Sequence, residues 1–315
     1  MKISVIIPIY CVEEWVEKCI NSIIDQGGGD IELIVVDDAS TDNSMQIVQR
    51  LLSDVKFSVV YITHEVNRGL SAARNSGIRA ASGDYIYFLD SDDMLAPNAL
   101  NSLLEATTNE CWDVIVGNYK VLSEEGSYVS QRYNKRAAYD NNDQIVRAFV
   151  DGYIPVMAWN KLVKREYLSS NNLMFMEGVL HEDELWSFKL ITTSEKLLML
   201  GDTTYLYNVR QGSIMTTPEI VARRSRSMID IFAQMTNIYI SKNRSSIIAS
   251  YLERFAFQCY LQAKGFKLYK EIRDIQKQIK IGCFSKASLL RLHLYLPKEI
   301  GYLCSRAICK LYMLK

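Results

Sequence analysis

Residues 83–93, GDYIYFLDSDD, set the apolar and aromatic run Tyr85-Ile86-Tyr87-Phe88-Leu89 directly against Asp90, Asp92 and Asp93. The run reads as a buried strand, and the acids end it. Two carboxylates about 4 Å apart repel by roughly 4 kcal/mol at an effective dielectric of about 20, so such a cluster in a cleft needs a cation. Oxygen ligands favour Mg²⁺ or Mn²⁺. Taken by itself the stretch reads equally as an acidic turn leading into a helix, with Pro97 at an early helical position.

The preceding residues show the same strand-and-helix rhythm. Apolar runs at Ile3 to Ile9, Ile31 to Val36 and Phe57 to Thr63 have strand length, and helical patterns follow at about Glu14 to Asp25, up to about Leu52, and Leu70 to about Ala80. Strands alternating with helices of this length predict parallel βαβ units with both sheet faces covered. Asp37 and Asp38, which end the second strand, then share a sheet edge with Asp90 to Asp93, and ligands of such sheets bind beyond the carboxyl ends of the strands. Gly27-Gly28-Gly29 precedes the second strand and no GxGxxG opens a helix, which argues against a dinucleotide cofactor.

Further on, two strands are expected between Asp113 and Val129, a helix near Asp143 to Val150, and a helix opened by HEDELW and running to about Ile191. Tyr205 to Met215 reads as a strand leaving into a loop. From Pro218 the pattern is helical throughout, so the chain divides into 1–217, split again near 110, and a helical region 218–315.

The formal net charge is zero, which argues against nucleic acid as a partner, yet it averages two unlike regions. From Lys264 onward twelve Lys/Arg face three acids, so the remainder carries nine excess negative charges. The seven cysteines form no CxxC pair or metal-ligand spacing, a usage that fits reduced thiols in the cytosol. MKISVIIPIY reads as a strand and not as a signal peptide, and no window of about 20 residues is free of charge, so no transmembrane helix is expected.

Six motifs in order, SVIIPIY, IVVDDASTDNS, NRGLSAARNSG, YIYFLDSDD, WNKL and HEDELW, resemble the inverting family 2 glycosyltransferases over roughly residues 1–215. The resemblance implies an α/β GT-A fold, Rossmann-like with a mostly parallel central sheet and helices on both faces, joined to an all-helical C-terminal region. It implies that Pro8 and Tyr10 lie against the nucleotide base, with Cys11 where the family usually has Asn. By the same likeness Asp38 accepts the uracil N3 hydrogen, Asp37 supports its loop, and Asn67, Arg68, Arg74 and Asn75 lie beside base and ribose.

Asp90-Ser91-Asp92 matches the DxD motif, with Asp92 as metal ligand and Asp90 on the ribose or a metal-bound water. Asp183 matches the general base, with Glu182 and Glu184 as alternatives and His181 as a neighbour that either tunes it or is a loop residue. Trp159 and Trp186 either shape the acceptor pocket or fill the core. Asn160 and Lys161 are placed to reach hydroxyls or diphosphate, and Arg210 and Ser213 resemble a segment that closes over the donor.

The expected reaction is transfer of one sugar from a nucleotide-diphospho-sugar, UDP-linked by this likeness, to a saccharide acceptor; the QxxRW motif of processive synthases is absent. Ile300, Leu303, Cys304, Ala307, Ile308 and Leu311 form an apolar helical stripe beside Lys298, Arg306 and Lys310. This basic helix either lies on an anionic membrane surface, which suits a lipid-linked acceptor in bacterial surface polysaccharide assembly, or packs on the body or a second subunit. A sugar-1-phosphate nucleotidyltransferase is the rival enzyme, but Ile9 to Glu14 lacks its Gly-rich basic loop. A catalytically silent nucleotide-sugar-binding subunit is the rival from another class.

Overall fold

The structure is a computed structural model that describes residues 1–27, 30–108, 110–122, 128–130, 136–209, 218–242, 245–262 and 266–279. The chain forms two compact units, Met1–Gly178 with Lys189–Gln211, and Val179–Phe188 with Gly212–Lys315.

The first unit begins with β1 (Ile3–Ile9), α1 (Val16–Ile24), β2 (Ile31–Asp37), α2 (Ser44–Leu51), β3 (Ser58–Thr63), α3 (Leu70–Ala80) and β4 (Tyr85–Phe88). Strand order β3-β2-β1-β4 is parallel throughout. β1, β2 and β4 are buried along their whole length, which is why their sequences are continuous apolar runs instead of alternating ones. The period of two sorts the side chains between layers. Ile3, Val5, Ile7 and Ile9 join Val16, Cys19, Ile20 and Ile23 of α1 in one core. Ile6 faces the other way, against α3, so closely that a Cβ at Gly77 would collide with it.

Next come β5 (Met94–Leu95), α4 (Ala99–Ala106), β6 (Val114–Leu122), β7 (Tyr128–Ser130), β8 (Ala137–Tyr139), α5 (Asn142–Val150), β9 (Lys161–Lys164), α6 (Arg165–Ser170), α7 (Glu182–Ile191) and β10 (Leu197–Asn208). The sheet continues from β4 through β9, β6 and β10 to β5. β9 is antiparallel to both neighbours, and β10 is parallel to β6 but antiparallel to β5 and β8. The helix expected at Pro97 starts two residues later, because Met94 and Leu95 first pair with Leu206 and Tyr205 of β10.

In the second unit α8 (Pro218–Ser241), α9 (Ser246–Gln262) and α10 (Phe266–Gln276) pack on one another. Phe232 stacks on Phe255, and exposed Arg226 binds Asp230 one turn away on α8 and Glu271 on α10. The stretch 179–188 belongs to this unit: Leu180 N donates to Ser227 Oγ at 3.0 Å, and Phe188 stacks on Tyr251 at 5.8 Å. No helix among the described residues is long and apolar enough to cross a membrane. The apolar stripe of 300–311 lies outside the described residues.

Candidate active site

Because β1, β2 and β4 are parallel and in register, their carboxyl ends open onto one edge. Ile9 is level with Asp37, Asp38 N donates to Ile9 O at 2.9 Å, and Leu89 N donates to Ile6 O at 3.1 Å. Tyr10, Asp38 and Asp90 all leave the sheet on that edge. Pro8 is buried in β1 opposite Val36, whereas Tyr10 is 49% exposed. The loops after β1 and β2 are laced together by Val12 N to Ser44 Oγ (2.8 Å) and Glu13 N to Asp42 Oδ2 (3.0 Å). Asp37 accepts Ser40 N at 2.8 Å, which closes the turn at Ala39. Cys11 has φ +49°, in the left-handed region that Asn enters far more readily than most residues, a physical reason for Asn at this place in relatives.

Asp38 is buried, and its carboxylate organises the next loop. Oδ1 bonds His64 Nδ1 at 2.6 Å and Arg68 N at 2.9 Å, and Oδ2 receives Gly69 N at 2.7 Å. His64 Nε2 is tied in turn to Ser76 Oγ. The N-terminus of α3 begins here, where the helix dipole favours an anion. These contacts occupy three of the four acceptor positions of the carboxylate.

Downstream, α3 points two polar side chains inward. Asn75 receives Phe175 N at 2.8 Å and donates to Phe175 O and Glu177 Oε1, which pins residues 175–177 to α3. The same Glu177 holds the half-exposed Arg68 guanidinium at 3.3 Å. Buried Arg74 reaches Asp90 Oδ1 at 2.8 Å and lies over the Phe175 ring.

The acidic turn is where the acids part company. Asp93 N donates to Asp90 O at 3.0 Å, closing the turn, and Ser91 is buried inside it. Asp90 and Asp92 stay partly exposed, but Asp93 is 1% exposed. Its Oδ2 accepts Tyr205 O–H at 2.6 Å and its Oδ1 accepts Asn208 N at 2.7 Å, while Tyr205 Oη also accepts Asp90 N at 3.3 Å. Burial, then Asp92 and Asp90, push the Asp93 carboxyl up to about 8 against those two hydrogen bonds. Burial, then Asp93 and Asp90, hold the Tyr205 phenol well above its ordinary range, so it remains an O–H donor.

Among the described residues no group of three His, Cys, Asp or Glu is arranged around a metal position. Two partly exposed carboxylates on one turn nevertheless fit a Mg²⁺ or Mn²⁺ whose remaining ligands are water and substrate phosphate, the usual way these ions are held.

WNKL falls on and just before β9. Asn160 donates to Gly117 O and Asn118 O and accepts from Tyr87 and Thr204, all inside the sheet, so its amide is spent on β6, β4 and β10. Lys161 is fully buried with Nζ on Met157 O. Neither lies in an open cleft. Trp159 is partly buried and stacks on Tyr205 (4.4 Å, 14°) and Tyr207 (5.5 Å, 12°), while Tyr119 meets it edge-on. Trp186 is 1% exposed and fills the core.

In the second unit the first turn of α7 carries Glu182, Asp183 and Glu184. Glu184 Oε2 accepts Tyr251 O–H at 3.2 Å, and burial, then Asp183, push its carboxyl up to about 7. Asp183 is half-buried. His181 precedes the helix with φ +62°; burial, then Arg224, lower its basicity, with Glu182 opposing. Arg210 and Ser213 lie outside the described residues.

Residues 4–169 match the model of glycosyl transferase family 2. The chain belongs to that family. Glycosyltransferase GlyA of Streptococcus pneumoniae is 36% identical over 225 residues, 68% of this chain and 31% of that protein. The uncharacterized glycosyltransferase EpsJ of Bacillus subtilis is 32% identical over 222 residues, 69% of this chain and 63% of that protein. The chain thus spans less than two thirds of either family 2 relative. Staphylococcus aureus TarS 1–349, solved in complex with UDP-GlcNAc, has a TM-score of 0.75 at 21% identity, covering 98% of this chain and 90% of that one. The mixed sheet with its helices and helical C-terminal region is therefore a GT-A fold.

Within the first unit, α3 brings the family 2 motif residues into a connected network from Asp38 through Arg68, Asn75 and Arg74 to Asp90. Reasoning on motifs missed His64, Phe175, Glu177 and Tyr205, which complete it. Only Tyr205 left a trace in the sequence, as the first residue of the strand expected from Tyr205 to Met215; β10 instead starts at Leu197 and ends at Asn208.

Proposed function

We propose that the protein transfers one sugar from a nucleotide-diphospho-sugar, UDP-linked, to a saccharide hydroxyl with inversion and with a divalent metal. The observation that carries this is the acidic turn, in which Asp90 and Asp92 are partly exposed while Asp93 is folded inward, on the strand edge that also carries Asp38 in a family 2 chain. The UDP-GlcNAc bound by TarS supports a UDP-linked donor.

In this reading the fourth acceptor position of Asp38 takes the N3 hydrogen of uracil, and the exposed Tyr10 ring lies on the base with Pro8 behind it. Asp92 would hold the metal, and Asp90, oriented by Arg74, would reach the ribose or the water around the ion. A divalent cation held there supplies neutralisation of the charge on the leaving diphosphate. Arg68 exchanges Glu177 for the donor. Asp183 removes the proton of the acceptor hydroxyl as that oxygen attacks the anomeric carbon opposite the diphosphate. The basic C-terminal stretch from Lys264 onward docks on an anionic membrane surface at the cytoplasmic face, which suits a lipid-linked acceptor.

Release of nucleoside diphosphate from a panel of UDP-, GDP- and dTDP-sugars with Mn²⁺ or Mg²⁺ tests the reading. One UDP-sugar is expected to be hydrolysed slowly and only with metal, with a loss of at least about 100-fold in Asp92→Ala. If no donor is turned over with either metal, the chain is a binding subunit and the proposal fails.

A further inference from the structure

Three acids end β4, and the DxD match gives roles to Asp90 and Asp92 but none to Asp93. The structure does. Both oxygens of Asp93 are directed into the fold, Oδ2 to Tyr205 Oη and Oδ1 to Asn208 N, and the residue is sealed from solvent. The Tyr205 hydroxyl has a second partner, Asp90 N, so one oxygen ties both ends of the four-residue turn. Tyr205 itself has little freedom. Its backbone pairs with Leu95 of β5 and Tyr119 of β6, and the Trp159 indole stacks on its ring. The turn is thus fastened to β10, 115 residues later in the chain, while Arg74 fixes the Asp90 side chain from α3.

We propose that Asp93 and Tyr205 are a positioning pair, not metal ligands: the Tyr205 hydroxyl, shared between Asp93 Oδ2 and Asp90 N, presets the turn that presents Asp90 and Asp92 to a metal–diphosphate. This rests on the metal-dependent reading above. A short acidic turn left to itself samples many conformations and brings two like charges together only at a cost; a turn already held in place has met that cost before the ligand arrives. Groups that orient metal ligands typically change metal affinity by about 10–100-fold when removed.

Tyr205→Phe deletes the shared hydroxyl and keeps the stacked ring. Asp93→Asn keeps the shape, but its amide can accept from only one of Tyr205 and Asn208. Mn²⁺ binding to the full chain, read by electron paramagnetic resonance with and without UDP, and UDP binding without metal, read by calorimetry, separate the roles. Both variants are expected to stay folded by circular dichroism and to bind Mn²⁺ with UDP about 10–100-fold more weakly, with metal-free UDP affinity within about twofold of wild type.

Unchanged Mn²⁺ affinity in the folded variants overturns the pair. So does a parallel loss of metal-free UDP affinity, which would mean general loosening. A loss in Asp93→Asn with none in Tyr205→Phe also overturns it, by making Asp93 a ligand. If Tyr205→Phe does not fold, Asp93→Asn decides on the same Mn²⁺ and UDP readings. A wild type that takes up no Mn²⁺ with UDP overturns the proposed function together with the pair, whereas wild-type uptake with indifferent variants overturns the pair alone.

Discussion

At the scale of single residues, one acid of the HED motif is held by a side chain far along the chain. Glu184 follows Asp183 by one position, yet it is turned toward Tyr251 of α9 and holds its proton up to about 7. An acid whose pKa is raised by folding binds more protons folded than unfolded, so stability is highest below the ordinary 4.5 and falls as the pH rises from there to about 7. The fall attributable to Glu184 is at most about 3 kcal/mol. Glu184→Gln should therefore raise the melting temperature more at pH 8 than at pH 5. Equal shifts at the two pH values would remove burial as the cause. The sequence places three acids in a row but cannot say which faces inward, because Tyr251 is 67 residues away and supplies the direction.

Elements differ in how much of them local sequence specifies. β1, β2, β4 and α3 were legible because burial on both sheet faces demands continuous apolar runs and a covering helix demands its own period. β5 and β9, two and four residues long, exist only because β10, β4 and β6 accept their hydrogen bonds, and no local pattern announces that. The same holds for Asn160 and Asn75. Both types are expected at surfaces and sites, and both are instead consumed where segments cross. The Asn160 crossing leaves no room at Gly117, where a Cβ would collide with Thr204 Oγ1 and lie 2.7 Å from Asn160 Oδ1. Gly117→Ala should cost about 3 kcal/mol or more, measured by denaturant unfolding. A change below about 1 kcal/mol would show that β6, β9 and β10 are less tightly crossed than described.

For the whole molecule, the sheet-based first unit holds the Asp38 loop and the acidic turn, and the helical second unit holds Glu182, Asp183 and Glu184 of α7, of which Asp183 is the proposed base. The proposed chemistry is one displacement in which metal-assisted departure of the diphosphate and deprotonation of the acceptor occur at opposite sides of the anomeric carbon. Stereochemistry reads that claim directly. Proton NMR of the anomeric signal, followed from the first minutes of reaction with an α-linked UDP-sugar and diamagnetic Mg²⁺, is the measurement to make. The β configuration in the first-formed product, absent without metal, is the predicted result; an α product would mean retention and would contradict a single displacement with Asp183 as base.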